Sequence, residues 1–341
     1  MLILLTFRFW LIVVTGFASS LAGLQIAGAC AFEDGLDLPL GASSSKIEKV
    51  LAGRYLRHSP HYYRWYLKYR LGKDSPDALP MDVVDRASAM MRLGDSRDAL
   101  KMLDVHLAQN PTRYSWRVEK ANILLISGNR ARAGSSFTRA FEVNPNGEFS
   151  QDGFASQLLD YMSMQAARDR KKMPMVTASE RGRAYPKLGF AHFFKSRGAS
   201  TGVYPEDTWS EKGRIQALEG LVGLVLCGYQ RVPQIYEAMG DLIREGPLPG
   251  GGDHRSLAAM AYLKASYLVG DSIWSRLEYR RLARETLRVR TNRNLKGSEK
   301  RLSRSMKLGQ SLYRQVSQAE KGWANKRLDL ERLYDKRFSQ R

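Results

Sequence analysis

Residues 80–147 contain two copies of one 34-residue pattern, and this stretch decides the fold. The first copy, residues 80–113, reads PMDVVDRASAMMRLGDSRDALKMLDVHLAQNPTR, and the second, residues 114–147, reads YSWRVEKANILLISGNRARAGSSFTRAFEVNPNG. A shift of 34 residues superimposes five pairs: Ala87 and Ala121, Gly94 and Gly128, Ala99 and Ala133, Leu103 and Phe137, Pro111 and Pro145. A repeat of this length indicates stacked copies of one small structural unit.

Each copy predicts two amphipathic helices joined by a short turn. The predicted helices span residues 81–93 and 96–108 in the first copy, and 115–126 and 130–143 in the second. Gly94 and Gly128 fit the end of each first helix, because glycine adopts the left-handed conformation at little cost. Pro111 and Pro145 follow the second helices, which proline cannot continue.

This pattern resembles the tetratricopeptide repeat, whose period is 34 residues and whose consensus has small, glycine and proline residues at these positions. The resemblance implies an all-α, helix-turn-helix solenoid. It also implies that the first helix of each repeat lines a concave binding face.

Weaker copies extend the resemblance over roughly half the chain. Residues 150–167 predict a third first helix, in which Ala155 falls on Ala121 after a further shift of 34. A degenerate repeat occupies residues 212–270, with the family's W-x2-L-G-x2-Y spacing at Tyr236, Met239, Gly240 and Ile243. Two helices at 47–56 and 62–71 lack the markers and are interpreted as an N-terminal cap, so the main repeat region is 46–167.

Residues 168–211 interrupt the repeats. They contain Pro174, Pro186 and Pro205, and between residues 168 and 197 there are nine basic and two acidic side chains. A connection of this length inside a compact domain is unusual. We interpret it as a long irregular basic linker, a surface loop anchored by the apolar patch 188–194.

The resemblance also assigns the residues that face the groove. They are Val84, Asp85, Ser88, Met91 and Arg92 in the first copy, Val118, Glu119, Asn122 and Leu125 in the second, and Asp152 and Ser156 in the stacked third helix. Asn122 stands where peptide-binding members often carry an asparagine, whose amide can pair with a ligand backbone. Val84 and Ser88 replace the lysine and asparagine of the carboxylate clamp, so an extended or helical peptide is the expected ligand.

Residues 1–31 are interpreted as a secretory signal peptide. Arg8 is the one charge in an apolar run, and Ala29-Cys30-Ala31 fits the A-x-A cleavage pattern. An uncleaved membrane anchor is the alternative, since the run has about the length that crosses a bilayer. A lipid-modified Cys30 is disfavoured by Ala27. We therefore expect an exported protein, periplasmic or secreted.

The signal-peptide interpretation determines the expected state of the two cysteines. Cleavage after Ala31 removes Cys30 and leaves Cys227 alone, which excludes an intramolecular disulfide. Cys227 adjoins the apolar run 221–226, where a free cysteine usually behaves as a small core residue. It is not expected to be a nucleophile.

The C-terminal tail, 271–341, carries most of the excess charge. The chain has 54 basic and 34 acidic side chains, a net charge of +20, and residues 274–341 hold twenty basic and seven acidic ones. An apolar stripe on a long helix is predicted from Leu312, Val316, Ala319, Trp323, Leu330 and Leu333. The stripe could dock on the repeats, lie on an anionic membrane surface, or accompany binding of an acidic polymer. Nucleic acid is not expected for an exported protein.

No motif in the sequence indicates catalysis or a cofactor. The five histidines are not accompanied by HExxH or CxxC, so the usual spacing of metal ligands is missing. G-x-S-x-G and the glycine-rich phosphate loops are also missing. The expected function is therefore a non-catalytic scaffold for protein or peptide partners, with electrostatic binding through the tail and an unrecognised hydrolase as alternatives.

Overall fold

The computed structural model describes residues 43–71, 80–145, 151–171, 189–201, 211–270 and 272–339, and these ranges are all-α without strands. The predicted signal segment 1–31 lies outside them. The helices of the described ranges, numbered in chain order, are α1 (Ser44–Leu51), α2 (Pro60–Trp65), α3 (Pro80–Leu93), α4 (Ser96–Gln109), α5 (Tyr114–Ile126), α6 (Arg130–Val143), α7 (Gln151–Lys171), α8 (Phe190–Thr201), α9 (Glu211–Leu224), α10 (Pro233–Arg244), α11 (His254–Leu268), α12 (Ile273–Leu287), α13 (Lys296–Asn325) and α14 (Leu330–Tyr334).

Short irregular helical turns extend several of these helices. A π-helical turn follows α2 at Tyr66–Arg70, α9 at Val225–Tyr229 and α14 at Asp335–Ser339, and a 3-10 turn at Asn292–Leu295 leads into α13. The turn after α9 contains Gly228 at a φ of 115°, which lies outside helical geometry. This turn is important for the candidate site described below.

The two clear repeats form helices α3 to α6 close to the predicted positions. Gly94 and Gly128 have φ values of 96° and 82°, which confirms the left-handed ends predicted for the first helices. Ala87 and Ala121 are fully buried, because their small side chains lie where neighbouring helices approach. Local sequence signals therefore set the ends of these four helices.

The repeat helices pack in a regular order. Within each copy α3 packs on α4 and α5 on α6, and between copies α4 packs on α5 and α6 on α7. The first helices are also neighbours, since α3 contacts α5 and α5 contacts α7. Leu124, Phe137 and Leu158 share one buried core across this row.

The segment 168–211 is not irregular throughout, so that part of the sequence-based interpretation was wrong. Helix α7 continues to Lys171, and α8 occupies Phe190–Thr201. The apolar patch packs back on the body as expected, because Phe190 and Phe194 are buried in the main core. Because they are four residues apart on α8, both rings lie on one side of the helix. Residues 172–188 and 202–210 lie outside the described ranges.

Helix α10 lies at the centre of the second half. Its residues from Ile235 to Ile243 are all buried, and it packs on α7, α8, α9 and α11. Gly240 allows the ring of Tyr262 on α11 to approach closely, because a Cβ atom at this position would lie 2.7 Å from that ring. The degenerate repeat predicted at 212–270 thus corresponds to tightly packed helices.

The C-terminal tail is docked on the body. Helix α13 packs on α1, α2 and α11, and Val316 and Leu330 of the predicted stripe are fully buried. Of the three alternatives for the stripe, docking on the protein's own helices is therefore observed, and the helices contacted are the predicted N-terminal cap and α11 of the degenerate repeat. At Gly309 the approach to α1 is so close that a Cβ atom would lie 2.5 Å from the carbonyl oxygen of Gly53.

A buried polar contact joins the two ends of the described chain. The Glu320 carboxylate on α13 is fully buried, with Oε1 2.6 Å from Nδ1 of His58 and Oε2 accepting from the backbone N–H of Ser59 at 2.7 Å. The His58 ring stacks on Tyr62, with ring centroids 3.6 Å apart. We call this contact the terminal clasp.

Cys227 differs from the sequence-based expectation. It is disulfide-bonded, so the expectation of a lone thiol was wrong. The sequence contains one other cysteine, Cys30, which lies outside the described residues. Within the part of the chain that the structure describes, no helix is long and apolar enough to span a bilayer.

The docking of α13 can be tested with two glycines of the same helix. Gly309→Ala should destabilise the protein by about 1–3 kcal/mol, because its Cβ atom meets the α1 backbone, which cannot give way as a side chain can. Gly322→Ala is the control, since a Cβ there meets nothing within 4 Å. It should stabilise by about 0.5–1 kcal/mol through helix propensity. Urea melts followed by circular dichroism measure both, and equal effects of the two variants would contradict the close packing.

Candidate functional site

The eleven residues predicted to face the groove lie on the three neighbouring first helices, and we call this surface the repeat face. Helix α3 carries Val84, Asp85, Ser88, Met91 and Arg92; helix α5 carries Val118, Glu119, Asn122 and Leu125; helix α7 carries Asp152 and Ser156. The contacts of α5 with α3 and α7 place the three helices side by side. The side chain of Asp152 lies outside the described part of the chain.

The repeat face is largely enclosed by the protein itself. Its buried members are Val84, Ser88, Val118, Glu119, Asn122 and Leu125, whereas Asp85, Met91, Arg92 and Ser156 are half-buried. Most of the residues predicted to face a groove are therefore covered in this structure. That these residues bind a partner stays a prediction.

A buried hydrogen bond connects the first helices of the two clear repeats. The Ser88 hydroxyl on α3 donates to Oε1 of Glu119 on α5 at 2.5 Å. Two residues predicted to contact a ligand thus also fix the spacing of the two helices.

Two segments of the same chain cover the repeat face. From the turn after α2, the Tyr66 hydroxyl donates to Oδ2 of Asp85 at 2.9 Å. From the turn after α9, the Tyr229 hydroxyl donates to Oδ1 of Asn122 at 2.7 Å, and Arg92 donates to the carbonyl oxygen of Leu226 at 3.0 Å. The face therefore holds a bent chain segment through one side-chain and one backbone contact.

Sequence reasoning missed the residues that surround Arg92. Arg57, from the connection between α1 and α2, donates to the side chain of Gln230 at 3.2 Å, and the Cβ position of Gly228 lies 3.4 Å from the Arg92 guanidinium. Lys264 on α11 has its Nζ 5.7 Å from the ring centroid of Tyr236, and the Tyr236 hydroxyl donates to the backbone carbonyl oxygen of Gln230 at 3.1 Å. These residues are separated by up to 207 positions in sequence, from 57 to 264. No local sequence pattern indicates that these residues lie close together.

Two carboxylates on α10 form a polar cluster in the core. Glu237 and Asp241 lie one helical turn apart and are almost completely buried. Glu237 accepts hydrogen bonds from the hydroxyls of Tyr161 at 3.0 Å and Tyr279 at 2.9 Å. Asp241 accepts from the hydroxyl of Tyr262 and from the backbone N–H of Phe190, both at 2.6 Å. We call this the α10 carboxylate network.

Burial sets the protonation of this network. It raises the pKa of Asp241 from its ordinary value of 3.8 to about 7, and the negative charge of Glu237 adds to the rise. Burial also raises the pKa of Tyr161, Tyr262 and Tyr279 well above their ordinary value, with the carboxylates as the second cause. The tyrosines therefore stay neutral donors at physiological pH.

The arrangement of the network fits a structural role better than acid–base chemistry. Each of the four carboxylate oxygens already accepts a hydrogen bond, and both acids are enclosed by packed helices. Within the described ranges, no three His, Cys, Asp or Glu side chains are grouped so that they could hold a metal ion.

Comparisons with protein-family models, with curated proteins and with solved structures found no match for this chain.

The pKa of Asp241 predicts how stability depends on pH. Between pH 4 and pH 7 the unfolded carboxyl is ionised while the folded one keeps its proton, so the folded state loses stability as pH rises. Asp241→Asn mimics the protonated acid, because its amide can donate to the Tyr262 oxygen and accept from the Phe190 N–H. Relative to wild type, it should gain up to about 4 kcal/mol between pH 4 and pH 7.5.

Urea melts at several pH values measure this difference. Asp98→Asn is the control, because Asp98 is exposed on α4, and its stability should follow that of wild type across the range. If Asp241→Asn and wild type change in parallel with pH, the protonated state assigned to Asp241 is wrong.

Proposed function

We propose that the protein is a non-catalytic, exported scaffold that binds a protein or peptide partner through tetratricopeptide-like repeats. The 34-residue period and the left-handed Gly94 and Gly128 support this assignment of the repeats. The side-by-side packing of α3, α5 and α7 supports it as well, because stacked first helices are the arrangement that the family uses.

The observation that carries the proposal is the way in which the repeat face holds Leu226 and Tyr229. Arg92 binds a backbone carbonyl group, and Asn122 binds a side-chain hydroxyl. Contacts of this kind recognise a peptide segment, and here the segment belongs to the same chain. We infer that a partner uses the same contacts and competes with the turn Val225–Tyr229.

Competition of this kind explains why the face is enclosed. The turn contains Gly228 outside helical geometry and is joined to α9 without a break in the chain. A tethered segment acts at a high effective concentration, on the order of millimolar for short flexible links. A partner must therefore bind the repeat face more tightly than an isolated weak peptide would.

Single substitutions on the two sides of the turn test the proposal. Tyr229→Phe removes the hydroxyl that donates to Asn122. The loss of one hydrogen bond of about 1 kcal/mol from the covering turn should increase partner retention about fivefold. Asn122→Ala should abolish retention. Tyr267→Phe, at an exposed tyrosine of α11, is the control and should leave retention unchanged. The measurement is capture from envelope extract by the purified full chain in high salt, quantified by mass spectrometry.

A second outcome of the same experiment would indicate that the basic C-terminal tail binds the partner. Its exposed basic residues include Lys300, Arg304 and Lys307 on α13, whereas its apolar stripe is docked and so not free for insertion into lipid. Retention that disappears in high salt, and also on replacing these three residues by glutamine, would assign binding to this basic surface. Equal retention by all variants would contradict both assignments.

Export rests on the N-terminal segment and is supported by Cys227. Disulfides persist in oxidising compartments and are rare in reducing ones. Cleavage after Ala31 would remove Cys30, the one other cysteine of the chain. That cleavage and an intramolecular disulfide therefore exclude each other.

Cell fractionation followed by N-terminal sequencing and non-reducing intact-mass measurement tests export. We expect the protein in the envelope or the medium, with Cys227 oxidised. A mature N-terminus at Phe32 would identify a cleaved signal peptide and a disulfide to another chain. An N-terminus before Cys30 would instead be compatible with an intramolecular disulfide. A cytoplasmic protein with a reduced Cys227 would refute export.

A further inference from the structure

Three basic side chains from distant parts of the sequence meet beside the repeat face. Arg57 follows α1, Arg92 ends α3 and Lys264 lies on α11. Arg57 donates to the side chain of Gln230, which follows the turn Val225–Tyr229 that Arg92 contacts at Leu226. Lys264 lies over the ring of Tyr236, whose hydroxyl donates to the backbone carbonyl oxygen of Gln230 at 3.1 Å. The three cations thus share one neighbourhood, which we call the cation cluster.

The partners of the cation cluster are neutral. Arg57 donates to the amide oxygen of Gln230 and lies over the ring of Tyr313, with its guanidinium carbon 4.3 Å from the ring centroid. Arg92 donates to a backbone carbonyl group, and Lys264 lies 5.7 Å from the ring centroid of Tyr236. Among the described residues, no carboxylate lies within ion-pair distance of the three cations.

An acidic residue of α13 near Tyr63 is already engaged in other contacts. Glu320 on α13 raises the pKa of Tyr63 through its charge, but its two oxygens lie against His58 and the backbone N–H of Ser59. It therefore does not serve as the counter-charge of the cluster. Buried or half-buried cations are usually paired with an anion, so this arrangement is unusual.

Donors without acceptors point to the same place. Nε of Arg57, Nε of Arg92 and Nε2 of Gln230 are shielded from solvent, and none has a hydrogen-bond partner in the described part of the chain. A buried donor left unsatisfied costs about 1–3 kcal/mol. The Tyr55 hydroxyl lies beside the side chains of Arg57 and Gln230 as a neutral acceptor, and an anion from outside the described residues would supply the further acceptor that these donors lack.

The state of Lys264 fits this explanation. Burial lowers its pKa from 10.5 to about 8, and the charge of Arg57 adds to the lowering. An anion at the cluster would offset both effects, because it would stabilise the protonated amine.

We propose that Arg57, Arg92 and Lys264, together with the amide of Gln230, bind a single oxyanion, either a carboxylate or a phosphate group. Arginine suits this ligand because its Nε and Nη donors match the geometry of two oxygens of one anion. The site extends the proposed function by naming a chemical group of the ligand. It does not depend on that function, since a free anion would bind in the same way.

The side-chain Nε–Hε signals of arginine allow a direct test by NMR. The full chain at pH 6.5 is titrated with sodium phosphate and, separately, with sodium acetate, while sodium chloride keeps the ionic strength constant. The Arg57 and Arg92 signals, assigned with Arg57→Lys and Arg92→Lys, should move together and reach saturation. Saturation by one salt alone identifies the preferred group, and either result supports the site.

Two matched lysine variants complete the test. Lys264→Met should weaken the affinity at least tenfold, while Lys307→Met, on the exposed face of α13, should leave it unchanged. Signals that do not move beyond the chloride baseline, or that move without saturating, overturn the proposal. These wild-type signals decide the matter even if Lys264→Met does not fold. Equal loss of affinity in both variants would also overturn it, because it would show a general charge effect.

Discussion

Hydrogen bonds to two buried carboxyl groups link the positions of five helices in this structure. Glu237 and Asp241 on α10 draw their donors from four other helices, namely Tyr161 of α7, Phe190 of α8, Tyr262 of α11 and Tyr279 of α12. A buried carboxylate that loses its donors is strongly destabilising, so none of these helices can shift alone. Because α7 also packs on α5 and α6, the repeats are fixed relative to the second half.

That fixed arrangement explains why the repeat face is covered. The carboxylate network holds α10, and α9 packs on α10, so the turn between these two helices lies against α3 and α5. Tyr229 then reaches Asn122, and Leu226 presents its carbonyl group to Arg92. The same turn carries Gln230 towards Arg57, so the covered face and the cation cluster are two sides of one junction. A ligand at either side would therefore influence the other through a single short segment.

Much of the local structure could be predicted from the sequence, whereas the site could not. Gly94, Gly128 and the 34-residue period indicate where four helices end, and the stripe around Val316 indicates a docked helix, because these signals depend on near neighbours. Helix α8 was missed because its flanks are rich in proline and charge. The pairing of Asn122 with Tyr229 spans 107 residues and leaves no periodic trace. Resemblance placed Asn122 on a face, but it could not tell that the chain covers this face itself.

The terminal clasp also constrains the order in which the molecule can be made. His58 and Glu320 are separated by 262 residues, and the close contact of Gly309 with Gly53 spans nearly the same length. During synthesis, α1 and α2 therefore emerge long before the helix that covers them. The contacts of α2 with α13 and Leu330 form only when almost the whole chain has left the ribosome, so the native fold is completed after translation.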